Sequence, residues 1–189
     1  MLALLCGSEG MLGIVTQVTV ALLPEPEKKS VILAGFKQVT DAGNAVASII
    51  GAGIIPAGME MMDKLAVQAA EQFAHAGYPL DAAAILIIEL DGAEAELSAV
   101  TAQVIDHLNA SGAYQIDQAD DAETQARLWK GRKSAFPAVG RLSPDYICMD
   151  GTIPRHQLAH VLTQIDELSE RFGLAVANVF HAADGNLHP

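Results

Sequence analysis

An alternation between two hydrophobic periods constrains this chain most. Short apolar runs recur at Val31–Gly35, Gly58–Met62, Ala83–Leu90, Ala113–Ile116, Tyr146–Thr152 and Ala175–Phe180, and helical stretches fit between most of them. The clearest helix spans residues 155–172, where Leu158, Val161, Leu162, Ile165, Leu168 and Phe172 form one stripe and Gly173 follows as a C-cap. Glu94–Asn109 carries a similar stripe (Leu97, Val100, Val104, Ile105, Leu108) that ends at Ser111-Gly112. Further helices open near Asp41 and Asp63, ending near Gly51–Gly53 and Gly77. Another opens at Asp120, where Glu123 completes a capping-box pattern. A chain that switches between these periods must lay helix stripes on a sheet face. Strict alternation alone also fits a doubly wound parallel sheet.

The first 27 residues read differently. Leu2 to Cys6 is an apolar run, Gly7 to Gly10 a turn, and Gly13 to Leu23 a partly alternating β-rich stretch. The charged, proline-containing PEPEKK at 24–29 is the expected domain boundary. The chain opens on an apolar run without basic residues before it, and stops at Pro189 inside a histidine-rich turn. Both ends read as cut, so a piece of a longer protein is expected.

Aromatic residues make up only 5% of a chain that is 51% hydrophobic, so Ala, Leu, Ile and Val must fill the interior. The formal net charge of −12 argues against nucleic acid and anionic lipid as partners. No apolar run of about 18 residues occurs, so no membrane-spanning helix is expected. Cys6 and Cys148 lie in apolar stretches and read as buried free thiols of a reducing compartment.

Three stretches carry candidate chemistry. In GSEGMLGI, residues 7–14, closely spaced glycines let backbone approach a ligand and turn amides toward phosphate; the same pattern serves as a plain turn between strands. In HAADGNLHP, residues 181–189, an Asp184-Gly185-Asn186 turn brings His188 back toward His181. Two neutral imidazoles suit a divalent metal but need a third ligand, and a polar β-turn with incidental histidines fits equally well. In WKGRKSAFP, residues 129–137, Arg132 and Lys133 sit late in a helix that Pro137 ends or kinks. Arg132 suits a carboxylate substrate through its planar fork, or it is a solvated basic helix end. Glu60, an acid inside an apolar run, faces a site or lies on a sheet edge. His75, His107, His156 and His160 read as surface residues.

Taken in order, these stretches resemble one family. GSEGMLGIVTQVTVALLPEPE is similar to the end of the flavin-binding domain of FAD-linked oxidases of the vanillyl-alcohol-oxidase type. WKGRKSAFPAVGRLSPDYICMDGTIPR and NVFHAADGNLHP resemble the substrate domain of the glycolate oxidase flavoprotein subunit and D-lactate dehydrogenase group. The resemblance implies an α+β fold: a ferredoxin-like two-layer sandwich, largely antiparallel, with helices on one face and a short β remnant before it. Residues 1–27 would be the C-terminal remnant of the FAD-binding domain, and 28–189 the substrate domain, incomplete at its C-terminus. Gly7, Ser8, Glu9, Gly10, Gly13 and Ile14 would line FAD. Arg132 would hold the substrate carboxylate, His181 and His188 would bind Zn²⁺ or another divalent metal, and Asn186 would sit near the substrate.

The implied reaction is oxidation of a small 2-hydroxy acid, glycolate or D-lactate, by hydride transfer to FAD. Partner subunits are implied, one carrying iron–sulfur clusters, with a cytoplasmic location at the inner membrane through those partners. The isolated chain is expected to be inactive. A non-enzymatic α+β module that binds metal or a partner is the alternative. One departure bears on the site: the family usually has Gly where this chain has Ala183, so a strained or reshaped turn is expected.

Overall fold

The computed structural model describes residues 1–143 and 145–189. Its centre is a seven-stranded sheet in which every pairing is antiparallel. The chain runs α1 (Leu2–Leu5), β1 (Lys28–Phe36), α2 (Val39–Gly51), β2 (Gly58–Asp63), α3 (Lys64–Ala74), β3 (Ala84–Gly92), α4 (Glu94–Ala110) and β4 (Ala113–Ala119). It continues with α5 (Ala122–Lys133), α6 (Ala135–Val139), β5 (Gly151–Thr152), a 3₁₀ turn (Arg155–Gln157), α7 (Leu158–Phe172), β6 (Val179–His181) and β7 (Asn186–His188). The spatial order is β4-β1-β3-β2-β6-β7-β5.

The α+β class and the antiparallel sheet agree with expectation. The first four strands lie in the order 4-1-3-2 of a ferredoxin-like unit, and its crossover helices α2 and α4 pack on one face with α7. The expectation of helices on one face alone is corrected. On β1, Ile32, Ala34 and Phe36 face α2, α4 and α7, whereas Val31 and Leu33 face a second core with Ala66, Val67 and Ala70 of α3 and Leu128 of α5. The sheet is therefore covered twice. That is why Ala84–Ile88 can be a continuous apolar run with every residue buried.

The front of the chain is also corrected. No β remnant forms there among the described residues: Leu2–Leu5 is one helical turn, and residues 11–23 carry no strand and are exposed. An alternating pattern without a partner strand makes no ladder. Cys6 lies in this segment and Cys148 in the exposed run before β5, so both thiols are exposed, contrary to expectation. The expected strands at 146–152 and 175–180 shrink to β5 and β6, because partners are present only over those short spans.

Most helix punctuation lies where the sequence puts it. Gly173 caps α7 in the left-handed region at φ 63°. The N-cap of α5 is Asp121 rather than Asp120, accepting from the Thr124 amide at 2.8 Å. The helix expected from Asp41 starts two residues earlier, at Val39.

Asp63 fixes the strand pair that carries the site. At the end of β2, Oδ1 accepts from the Ala66 amide at 2.9 Å, capping α3. Its Oδ2 accepts from the Asn178 amide at 2.7 Å and from Asn178 Nδ2 at 2.8 Å, just before β6. Burial pushes the Asp63 carboxyl up to about 6, although all three hydrogen bonds pull it down. A folded-state value above the ordinary 3.8 means that the folded protein holds this proton more tightly. Its stabilising contribution is thus full below pH ~4 and lost as pH rises through ~6. Urea unfolding of wild type and Asp63→Asn across that window should show the wild-type margin shrinking as pH rises. A margin that grows instead would reverse the assignment.

Candidate active site

The β6–β7 hairpin places the histidines. Its turn closes with the Asn186 amide donating to Asp184 Oδ1 at 3.0 Å. Gly185 sits at φ +79°, and a side chain there would collide with the Ile153 carbonyl. The Ile153 amide in turn donates to the Gly185 carbonyl at 3.0 Å. Ala183 is not among the residues at positive φ, so the strain expected there is absent: Gly185 takes the left-handed position.

Register then builds a row. Glu60 on β2 pairs directly with His181 on β6, and His181 pairs with Asn186 on β7. Residues opposed across antiparallel strands share a face, so the three side chains line up, with His188 two residues beyond Asn186 on the same side. Val179 and Met62 belong to the second core, so this is the face covered by α3, α5 and α6.

Arg132 enters the row from α5. Its Nε donates to Glu60 Oε2 at 2.9 Å, and Nη2 lies 2.7 Å from the same oxygen. The other oxygen, Oε1, is 2.8 Å from His181 Nδ1. Only 8% of the Arg132 side chain and 12% of the Glu60 side chain are exposed. A solvated helix end is thereby excluded for Arg132, while Lys133 beside it is exposed. α5 can lie this close because Gly131 carries no side chain: a Cβ there would come within 2.6 Å of Ala76 Cβ. The helix ends at Lys133, since Pro137 has no amide to bond the Lys133 carbonyl.

His188 completes the cluster. Its ring stands at 89° to that of His181, centroids 5.2 Å apart, and edge-on to Phe136 at 6.0 Å. The His188 side chain is 15% exposed and its Nδ1 is 3.9 Å from Asp150 Oδ1. The Asn186 side-chain oxygen is buried without a hydrogen-bond partner. An orphaned acceptor beside two imidazoles suits a cation or a hydroxyl donor. Among the described residues, no group of three His, Cys, Asp or Glu side chains forms a metal-holding cluster. Among those residues, His181 and His188 form a pair of imidazoles without a third such side chain grouped with them. A groove of about 750 Å³ opens beside Glu60, lined also by Trp129, Lys133 and Ser134.

The structure therefore brings together Arg132, His181, His188 and Asn186. Gly7, Ser8, Glu9, Gly10, Gly13 and Ile14 stay apart: all but the half-buried Ser8 are exposed, and the backbone hydrogen bonds of residues 1–11 are local. Gly7 and Gly10 both adopt φ +77°, with open space where a Cβ would be. Glu60 is the member that sequence reading left between a site and an edge; β2 is bonded on both sides, so it is no edge residue. Of the histidines expected at the surface, His107 departs: it is part-buried, with Nδ1 2.8 Å from Ser48 Oγ.

Residues 25–189 match the family described as FAD linked oxidases, C-terminal domain. The chain belongs to this family. Glycolate oxidase subunit GlcD of Escherichia coli is 57% identical to this FAD-linked oxidase domain over 189 residues, 100% of the chain and 38% of the relative. The mitochondrial D-lactate dehydrogenase [cytochrome] of Arabidopsis thaliana is 29% identical over 98% of the chain and 33% of its own length. A solved alkyldihydroxyacetonephosphate synthase superposes with a TM-score of 0.67 at 16% identity, over 96% of this chain and 38% of that one, and shares the fold. The chain thus spans well under half the length of these relatives. Pro144, inside the stretch that carries the resemblance, lies outside the described residues. Among those described, no helix is long and apolar enough to cross a membrane.

Proposed function

We propose that this chain forms the substrate-binding part of a flavin-dependent dehydrogenase that oxidises a small 2-hydroxy acid, glycolate or D-lactate, to its 2-oxo acid. One observation carries the reading: on one sheet face a buried guanidinium and an imidazole share a single carboxylate, and a second imidazole stands edge-on to the first. A 2-hydroxy acid presents a carboxylate and a hydroxyl on adjacent carbons. It therefore needs one cationic fork and, close by, one group that polarises an oxygen. The names of the relatives, glycolate oxidase subunit and D-lactate dehydrogenase, support that substrate class.

Arg132 binds the substrate carboxylate. Glu60 occupies its Nε–Nη2 edge, so the substrate meets the remaining terminal N–H groups. His181 and His188 hold a divalent cation, with a further ligand supplied from beyond this pair. Asn186 orients the substrate through its unpartnered oxygen. When bound, the cation lowers the pKa of the 2-hydroxyl and FAD accepts the hydride. The fit to FAD rests on residues 7–14, where Gly7 and Gly10 adopt φ +77° with open space at the Cβ position, so a ligand can approach the backbone closely. Residues 1–27 then belong to the flavin-binding unit and 28–189 to the substrate unit. The description of the bacterial relative as a subunit supports partner chains. That one of them carries iron–sulfur clusters, and that they hold a cytoplasmic enzyme at the inner membrane, rests on the family resemblance alone.

Arg132 tests this reading. In the protein as its source makes it, Arg132→Lys should raise KM for glycolate or D-lactate by about tenfold or more, with flavin retained. One charge is kept but the planar fork is lost. An unchanged KM in steady-state dye reduction would remove Arg132 from substrate binding.

A further inference from the structure

We propose that Glu60 is a positioning residue that sets two parts of the site at once: the tautomer of His181 and the free edge of Arg132. This rests on the reading of His181 as a cation ligand and of Arg132 as the carboxylate holder.

The strand around Glu60 would by itself make a core element. Met59, Met61 and Met62 are at most 1% exposed, and β2 is flanked by β3 and β6. An acid in such a place is costly unless both oxygens find partners. Both do: three nitrogens, Arg132 Nε and Nη2 and His181 Nδ1, lie between 2.7 and 2.9 Å from the carboxylate. No carboxylate oxygen remains without a partner to attack or to take a proton from substrate. The carboxylate acts through its neighbours.

Consider His181 first. An ionised carboxylate only accepts hydrogen bonds, so Nδ1 must carry the proton. In the neutral ring the lone pair then resides on Nε2, the nitrogen that Glu60 does not touch. That is the form an imidazole needs to ligate a cation. Direct pairing of residues 60 and 181 across β2 and β6 holds the two side chains opposite one another. For Arg132, the same carboxylate takes the Nε–Nη2 edge and fixes the plane of the guanidinium, which leaves the terminal Nη1–Nη2 edge as the fork for a second carboxylate. One side chain thereby couples the group that meets the substrate carboxylate to the group that polarises its hydroxyl.

The isosteric variant Glu60→Gln separates this role from bulk stability. The amide oxygen pairs with Arg132, leaving the amide NH₂ to face His181. An NH₂ donates, so Nδ1 must accept and the proton must move to Nε2. The experiment is a two-bond ¹H–¹⁵N correlation of the labelled 189-residue chain at neutral pH without metal, with thermal unfolding of each variant alongside. The expected result is an Nδ1–H tautomer at His181 in wild type and an Nε2–H tautomer in Glu60→Gln. Zn²⁺ affinity, titrated with the metal alone, should fall by about tenfold or more in the variant. An Nε2–H tautomer in wild type overturns the proposal without recourse to any variant. An unchanged tautomer in folded Glu60→Gln overturns it as well. Zn²⁺ bound equally well by wild type and His181→Ala would instead remove the cation-ligand reading, while the tautomer result still decides the role of Glu60.

Discussion

Replacing His181 by alanine should lower kcat of the flavin-loaded enzyme by about a thousandfold. A cation that polarises the reacting oxygen is worth several kcal/mol in the transition state, and each 1.36 kcal/mol is a factor of about ten. Losing one of two imidazole donors releases most of that. The flavin spectrum should stay intact, because His181 lies on the sheet face under α5 and α6 rather than in residues 7–14. Stability should fall by about 1–3 kcal/mol, because Glu60 Oε1 loses its partner, although 46% of the His181 side chain is already exposed. A variant that turns over at a near-normal rate would take His181 out of the chemistry.

Phe180→Ala should produce the largest loss of stability. Phe180 is fully buried, in the core shared with Met59, Met61, Leu86 and Leu162. Truncating a buried phenylalanine costs about 3–5 kcal/mol, because apolar contacts are lost and a cavity remains. The whole fold of a domain this size is worth only about 5–15 kcal/mol. β6 is three residues long, so its neighbour His181 should lose its alignment with Glu60 as well. Urea unfolding is the measurement, with Phe172→Ala as the control: Phe172 is 63% exposed and should shift stability by no more than about 0.5 kcal/mol. Equal effects of the two substitutions would contradict the placement of the core.

How much of this was legible in the sequence depended on how local each signal is. The Gly173 cap, the opening of α3 at Asp63 and the first part of the α7 stripe are written within a few residues of where they act, and reading recovered them; Leu168 and Phe172 of that stripe are exposed, and the cap of α5 falls one residue after the expected Asp120. The second helical layer was missed, although Ala84–Ile88 carried the clue: an unbroken apolar run, unlike an alternating one, needs cover on both faces. Residues 13–23 misled in the opposite sense, since alternation reports a suitable strand and not the presence of a partner. Cys6 and Cys148 looked buried because their neighbours are apolar, but burial is decided by what packs over a segment.

The site divides in the same way. His181, Asn186 and His188 belong to one hairpin and could be read together. Glu60 could not be joined to them, because it lies 72 residues before Arg132 and 121 before His181, and only sheet register and helix packing bring the three together. Family resemblance supplied roles for Arg132 and the histidines. The carboxylate that ties them emerged from the register of β2 against β6.

The most direct test is anaerobic mixing of the flavin-containing protein, as its source makes it, with glycolate or D-lactate while flavin absorbance is followed. Substrate-dependent bleaching of the flavin, abolished in His181→Ala, is the expected result. A flavin that stays oxidised with every small 2-hydroxy acid would contradict the assignment of this chain to their oxidation.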